Sequence, residues 1–143
     1  MHQPDFTAQQ RAMIEMWERH TAAEFATKSV DATMATMTVG TDRIVDELMY
    51  KFTHTIDMPW MLPGVAPTGK HVEVALVVVV ELQAGRISNE RIYWDQASVL
   101  AQVGLIDKQR LPVTGIEASR KVVDPTGEPS NALIERAARP SLT

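Results

Sequence analysis

Three long segments in which apolar and polar residues alternate constrain this chain more than any other feature of its sequence. They cover Arg43–Met58, Lys70–Leu82 and Ile87–Leu100. In the first, Leu48, Tyr50, Phe52, His54 and Ile56 share one face. Such alternation indicates strands with one face in a core, and the Val-rich centre of the second segment suggests burial on both faces. Three long strands in succession predict an antiparallel sheet.

The first part of the chain is interpreted as helical. Apolar residues such as Met13, Met16 and Trp17 recur near the 3.6-residue period, which predicts a helix over Phe6–Thr27. A second, short helix is predicted over Val30–Met37, with Ser29 as its N-cap. Helices followed by long antiparallel strands are typical of an α+β domain in which the helices cover one sheet face.

The connecting segments carry turn residues. Turns are predicted at 39–42 and at 83–86, and the segment 58–69 holds three of the eight prolines, so it is predicted to be a loop. That loop is unusually apolar, and we expect it to fold over something. Beyond Gly104 the sequence predicts a looser tail with short helices at Gly115–Val123 and Pro129–Ala138.

Composition excludes several classes of protein. The length of 143 residues fits one domain, and the net charge of −4 without a basic cluster argues against a nucleic-acid partner. There is no cysteine, and His20, His54 and His71 are not spaced as a metal site, so neither a metal nor another cofactor is expected. No signal peptide or membrane span is recognisable in the sequence, and a cytoplasmic protein is expected.

Four stretches in fixed order resemble the SnoaL-like members of the NTF2-like superfamily. They are Trp17–His20 with Val30–Met34, Pro67–Val72, Gly85–Gln96 and Val99–Gly104. The resemblance covers about three-quarters of the chain and implies a cone of curved sheet around a pocket, in a domain spanning 1–106, with 107–143 as an extension packed on it. The family includes polyketide cyclases, isomerases, epoxide hydrolases and members without known activity.

The sequence departs from that family at one place. After Met37 it passes directly to Thr38-Val39-Gly40, where members of the family carry a further strand and a third helix of roughly forty residues. Either the chain is naturally shorter, or its numbering runs across a missing stretch. A real deletion would leave one pocket wall open for a partner subunit to close.

Asp95 is the first candidate for chemistry. The resemblance implies that it matches the general acid/base aspartate of the cyclases. Alternation places Arg91, Tyr93 and Asp95 on one face of their strand and Glu90, Ile92 and Trp94 on the other. If the first face lines an apolar cavity, desolvation would raise the pKa of Asp95 into a useful range. The alternative is a surface aspartate that caps the end of the strand.

Other candidates surround the predicted pocket. His54 could polarise a carbonyl or relay a proton, or it could be a hydrogen-bonded core histidine. Glu73 shares a face with His71 and could pair with Arg91, or it could be a solvated charge. Trp60 could belong to an apolar lid. The remaining candidates for ligand contact are Trp17, His20, Tyr50 and Tyr93, for which core packing is the alternative.

Three functions remain open on this sequence. The first is a cofactor-free cyclase, isomerase or hydrolase for a small apolar carbonyl compound, with Asp95 as acid/base and Tyr93, His54 or Arg91 stabilising an oxyanion. The second is a binding module for an apolar ligand without turnover. The third is a dimerisation domain that acts through a sheet face. A homodimer is expected because the second strand is apolar on both faces.

Overall fold

A computed structural model describes residues 5–25 and 31–138 of this chain. One long helix precedes four strands, and three short helices follow them. The elements are α1 (Ala8–Phe25), β1 (Asp31–Val39), β2 (Arg43–Thr53), β3 (His71–Gln83), β4 (Arg86–Trp94), α2 (Gln96–Gln102), α3 (Ile116–Val123) and α4 (Ala132–Ala137). The strands form one antiparallel sheet in the order β1-β2-β3-β4. The α+β class predicted from the sequence is confirmed.

The sheet buries one face completely along its central strands. The register aligns Leu48 of β2 with Leu76 of β3, and Leu76 with Trp94 of β4, so that apolar rows run across the sheet. The buried apolar residues of this inner face are Ile44, Leu48, Tyr50, Phe52, Val72, Val74, Leu76, Val78 and Val80. At roughly 25 cal/mol per Å² of apolar area, these rows form the main stabilising layer of the molecule.

Helix α1 covers the inner face. Met13 and Trp17 are one turn apart and almost fully buried, because positions four residues apart lie on the same side of a helix. The amide of Gln10 donates to the carbonyl of Val39 at 3.0 Å, and that of Gln9 donates to Thr41 at 2.9 Å. These bonds hold the first half of the helix against the β1–β2 hairpin.

One predicted helix is a strand. The segment predicted as a helix over Val30–Met37 forms β1, whose residues from Asp31 to Val39 pair with β2. Threonine recurs in this segment and favours a strand, and β2 supplies a hydrogen-bond ladder, with one irregularity between Met34 and Thr36, that a two-turn helix could not match. The proposed cap at Ser29 lies outside the described residues.

The third predicted strand is shorter than expected. It ends at Trp94, and α2 begins at Gln96, because the Asp95 side chain accepts a hydrogen bond from the Ser98 amide at 3.1 Å and caps the helix. The first predicted strand, Arg43–Met58, also ends early, at Thr53, while the second predicted strand, the apolar loop at 58–69 and the turn at Gly85 (φ 71°) are confirmed.

Helix α3 covers part of the opposite, outer face of the sheet. Arg120 of α3 donates two hydrogen bonds, of 3.2 and 3.3 Å, to the carboxylate of Glu73 on β3. Met49 of β2 is buried on this same face. Among the described residues, no helix is both long and apolar enough to cross a membrane.

Candidate functional site

A small cavity lies between α1 and the inner face of the sheet. Its volume is about 180 Å³. The walls are apolar and aromatic with one ionisable residue, and they consist of Trp17, Thr21, Leu48, Tyr50, Trp60, Leu76, Val78, Glu90 and Ile92. Apolar cavities of roughly 150 Å³ admit benzene, so this one has room for a single ring. Trp60, which is 39% exposed, and the partly exposed Glu90 mark its mouth.

The aromatic residues of the cavity hold one another in place. Tyr50 meets Trp60 nearly at right angles with ring centroids 5.8 Å apart, and Trp60 meets Trp94 in the same way at 5.6 Å. The Trp94 indole donates to Gln96, whose amide in turn donates to the carbonyl of Met61. Edge-to-face contacts of this kind are favourable, and they fix the loop that carries Trp60 over the cavity.

A buried carboxyl lies directly behind the cavity wall. Asp46 of β2 is only 1% exposed, and its register partner Val78 lines the cavity. The Trp17 indole donates to Oδ2 of Asp46 at 2.9 Å, while Oδ1 has no hydrogen-bond partner in the part of the chain that the structure describes. Burial raises the pKa of the Asp46 carboxyl, and the hydrogen bond from Trp17 offsets this only in part.

A second carboxylate reaches the cavity from β4. Glu90 lies beside Ile92 on the inner face, and its Oε2 is 3.5 Å from Nε2 of His20 on α1. The His20 ring stacks on Trp17 with centroids 5.5 Å apart. The site therefore joins α1 to both β2 and β4 through Asp46, Trp17, His20 and Glu90.

The structure places the predicted ligand residues in two groups. Trp17, Tyr50 and Trp60 line the cavity, and His20 contacts two of its wall residues. Arg91 and Tyr93 face the other side of the sheet. Arg91 donates to Glu81 at 2.7 Å, and Tyr93 is 56% exposed. The expectation that these two line the pocket is therefore wrong, because the register of β4 turns the alternate residues inward.

Asp95 does not lie in the cavity. It is exposed and caps α2, and its Oδ2 accepts a hydrogen bond from the Thr114 hydroxyl at 3.3 Å. The expected orientation towards an apolar cavity is wrong, and the alternative of a capping aspartate describes its position. The cause is local, since the chain leaves the sheet at Trp94 and the next side chain turns to the helix N-terminus.

His54 and Glu73 are buried away from the cavity walls. Nδ1 of His54 accepts from the Thr68 amide at 3.3 Å, which ties β2 to the end of the apolar loop. Glu73 lies on the outer face and pairs with Arg120 and His71 instead of Arg91. Burial alone would raise the pKa of Glu73, but the hydrogen bonds and charge of Arg120 outweigh burial and lower it.

The sequence contained a signal for the buried carboxyl. Asp46 stands two residues before Leu48 and is therefore in phase with the apolar face of its strand. A charged residue at a core position of an alternating pattern indicates either a partner or a function. Glu90 could not be found in this way, since alternation groups residues by face and does not say which face is inner.

Comparison with solved structures identifies the fold. The sequence matches no protein-family model and no curated protein. A candidate SnoaL-like polyketide cyclase from Jannaschia sp. CCS1 superposes with a TM-score of 0.57 at 14% identity, over 73% of this chain and 100% of that one. TsrD from Streptomyces laurentii gives a TM-score of 0.47 at 16% identity, and this chain spans 65% of its length, with 62% of this chain covered.

A third neighbour is IdmH, a candidate polyketide cyclase from Streptomyces antibioticus. Its TM-score is 0.43 at 25% identity, over 63% of each chain. Of these three structures, the one from Jannaschia has a TM-score above 0.5, and at its low sequence identity it bears on fold alone. Together with the four-stranded antiparallel sheet and the helix across its inner face, this similarity shows that the chain has a SnoaL-like fold.

Proposed function

We propose that this chain binds a small, mainly apolar molecule in the cavity under α1 and transfers a proton to or from it, with Asp46 as the acid/base group. The observation that carries the proposal is a buried carboxyl that has no cationic partner among the described residues, and whose hydrogen-bond donor Trp17 and register partner Val78 both line an aromatic cavity. Structural aspartates in cores are usually paired with a cation or fully hydrogen-bonded, and Asp46 accepts one bond from a neutral indole.

Asp46 suits acid/base work better than Asp95. Burial raises its pKa, so the same group can hold a proton and release it nearer to neutral pH than a solvated aspartate can. Asp95 is exposed and engaged in capping α2. Trp17 would keep the Asp46 carboxyl in one orientation by holding Oδ2, which leaves Oδ1 as the atom that exchanges the proton.

The cavity volume restricts the substrate. About 180 Å³ accommodates a monocyclic compound, and it is smaller than the roughly 300–1,000 Å³ of pockets for drug-sized ligands. A cyclic ketone of six ring atoms is therefore a suitable probe. Removal of a proton beside its carbonyl by Asp46 would leave an enolate, and return of a proton from solvent would complete the exchange.

The test is exchange of the α-protons of cyclohexanone in deuterated water, followed by proton NMR. We expect the wild-type protein to accelerate exchange and Asp46→Asn to lose that acceleration while still binding the ketone. Asp95→Ser keeps a capping side chain and serves as the matched control, with the exchange rate of the wild type. Equal acceleration by the wild type and Asp46→Asn would refute the role of Asp46.

Binding without turnover is the second candidate function. It is favoured by the small number of polar groups on the cavity wall, where Glu90 is the one ionisable lining residue. Binding of cyclohexanone that perturbs the Trp60 indole signals, with no acceleration of exchange by the wild type, would support this function over catalysis.

A homodimer is a further part of the proposal, and it would use the outer face of the sheet. Tyr93 is 56% exposed there and lies opposite the half-buried Val77. An exposed aromatic residue next to other apolar side chains is typical of a protein–protein interface. Light scattering at micromolar concentration is expected to give twice the monomer mass for the wild type and the monomer mass for Tyr93→Glu. A monomeric wild type would contradict it.

A further inference from the structure

Two hydrogen-bond donors of the cavity wall are committed to other protein groups. The indole N–H of Trp17 is committed to Asp46, and the hydroxyl of Thr21 lies 3.1 Å from the backbone carbonyls of both Trp17 and Glu18. Behind the wall, the indole N–H of Trp94 is committed to Gln96. These three donors are therefore not available to a ligand that needs to accept hydrogen bonds.

The wall also carries a negative charge, which favours a cationic ligand. Glu90 contributes a carboxylate at the mouth, and among the described wall residues it is the one that ionises. A carboxylate beside apolar walls interacts more strongly with a cation than it would in water, because the local dielectric constant is lower. It repels an anionic ligand for the same reason.

The aromatic walls add to this preference. Trp17, Tyr50 and Trp60 line the cavity together. Since the N–H of Trp17 is committed to Asp46, this indole offers the cavity no free donor. The faces of indole and phenol rings attract ammonium groups, most strongly where water is excluded.

We propose that the cavity selects small cationic ligands, namely monocyclic or branched alkyl amines in their ammonium form, with the apolar part against Leu48, Leu76 and Val78 and the ammonium group at Glu90. His20 lies 3.5 Å from the same carboxylate, so an incoming ammonium shares or replaces that contact. The inference rests on the proposed function, since it requires that the cavity be a ligand site, and it narrows the ligands to compounds that carry an ammonium group, a class that includes amino ketones with exchangeable α-protons.

The experiment compares three probes with the same ring and different charge. Cyclohexylamine is an ammonium ion at pH 7, cyclohexanol is neutral and cyclohexanecarboxylate is an anion. Ligand-observed NMR titrations give the Kd of each for the wild-type protein. We expect the ammonium to bind about tenfold more tightly than the alcohol, as a desolvated contact with a carboxylate and aromatic rings would give. The carboxylate is expected to bind most weakly.

Two variants test whether Glu90 causes the preference for the ammonium ligand. Glu90→Gln is nearly isosteric and removes the charge, and it is expected to bind the ammonium and the alcohol within about twofold of each other. Glu135→Gln removes one negative charge from the exposed end of the molecule on α4 and is expected to keep the wild-type preference. Thermal unfolding of both variants checks that they fold.

The outcomes separate this inference from the proposed function. Equal binding of the ammonium and the alcohol to the wild type, or a preference that survives in Glu90→Gln, would overturn the selection of cations and leave the ligand site intact. Failure of all three probes to bind would overturn the ligand site and the inference together.

Discussion

Two buried carboxyl groups lie on opposite faces of the same sheet, and they are held in opposite ways. Glu73 on the outer face is 7% exposed and receives two hydrogen bonds from Arg120, so its pKa is lowered despite burial. Asp46 on the inner face is 1% exposed and receives one bond from an uncharged indole, so its pKa is raised. The difference lies in the partner more than in the burial.

The contrast separates a structural carboxylate from a functional one. Glu73 joins β3 to α3, and its backbone exchanges two hydrogen bonds of 2.9 Å with the amide of Gln102 on α2, so it fastens the C-terminal helices to the sheet. Within residues 5–25 and 31–138, the Asp46 side chain is bonded to Trp17 alone, and Trp17 lines the cavity. A carboxyl that is buried without compensation weakens the fold, and proteins retain such groups mainly at functional sites.

The largest effect is expected from Glu73→Gln. The variant loses the charge-assisted bonds from Arg120 and is expected to lower the free energy of unfolding by about 2 kcal/mol at pH 7, measured by urea denaturation. Glu81→Gln, on the same strand and face but more exposed, is the matched control and is expected to change stability less. If Glu73→Gln loses no more stability than Glu81→Gln, the structural role assigned to Glu73 is contradicted.

The pH dependence of this loss has a definite sign. The folded pKa of Glu73 lies below its unfolded value, so its stabilisation is present above the ordinary glutamate pKa of about 4.3. That stabilisation disappears as the pH falls through the lowered folded value. The difference between the wild type and Glu73→Gln is therefore expected to shrink in acid.

Asp46→Asn is expected to change stability in the opposite direction. Asparagine can still accept the Trp17 hydrogen bond and carries no charge into the core, so the variant is expected to be more stable by about 1.5 kcal/mol at pH 7. Because the folded pKa of Asp46 is raised, wild-type stability falls as the pH rises from the unfolded value through the folded one. The extra stability of Asp46→Asn over the wild type is expected to vanish below about pH 3.9, where Asp46 is protonated in both the folded and the unfolded states. A loss of stability at pH 7 would contradict this assignment.

The smallest effect is expected at Asp95, which neither of the two carboxyl sites includes. Asp95→Ala removes the cap of α2 and is expected to cost about 1 kcal/mol, while Asp95→Ser restores most of it. Ligand binding in the cavity is expected to be unchanged in both variants. Loss of the accelerated α-proton exchange in Asp95→Ser, with binding kept, would return the acid/base role to this residue.

The sequence predicted those elements whose patterns are governed by burial. The alternation in β2 and β3 and the 3.6-residue period of α1 led to the correct elements, since each has one face in the core. Strand β1 was missed because small residues and an apparent N-cap are also typical of a helix start, and only pairing with β2 decides between them.

The site was predictable in its aromatic part and not in its carboxyl groups. Trp17, Tyr50 and Trp60 follow from their apolar positions, and the structure brings them to one cavity. Asp46 and Glu90 depend on which face of each strand is inner, and that is set by the register between strands. The motif at Asp95 lies one residue beyond the last strand, where the helix cap determines the orientation of the side chain.

The most direct test is a carbon-detected NMR titration of the side-chain carboxyl groups, with Asp46→Asn and Glu73→Gln to assign the two signals. The account predicts that Asp46 titrates above the ordinary aspartate value of about 3.9 and that Glu73 titrates below the ordinary glutamate value of about 4.3, in the same sample. If Asp46 titrates at or below its ordinary value, a partner must offset the effect of burial on its pKa, as Arg120 does for Glu73. That result would contradict the role of Asp46 as the acid/base group of the cavity.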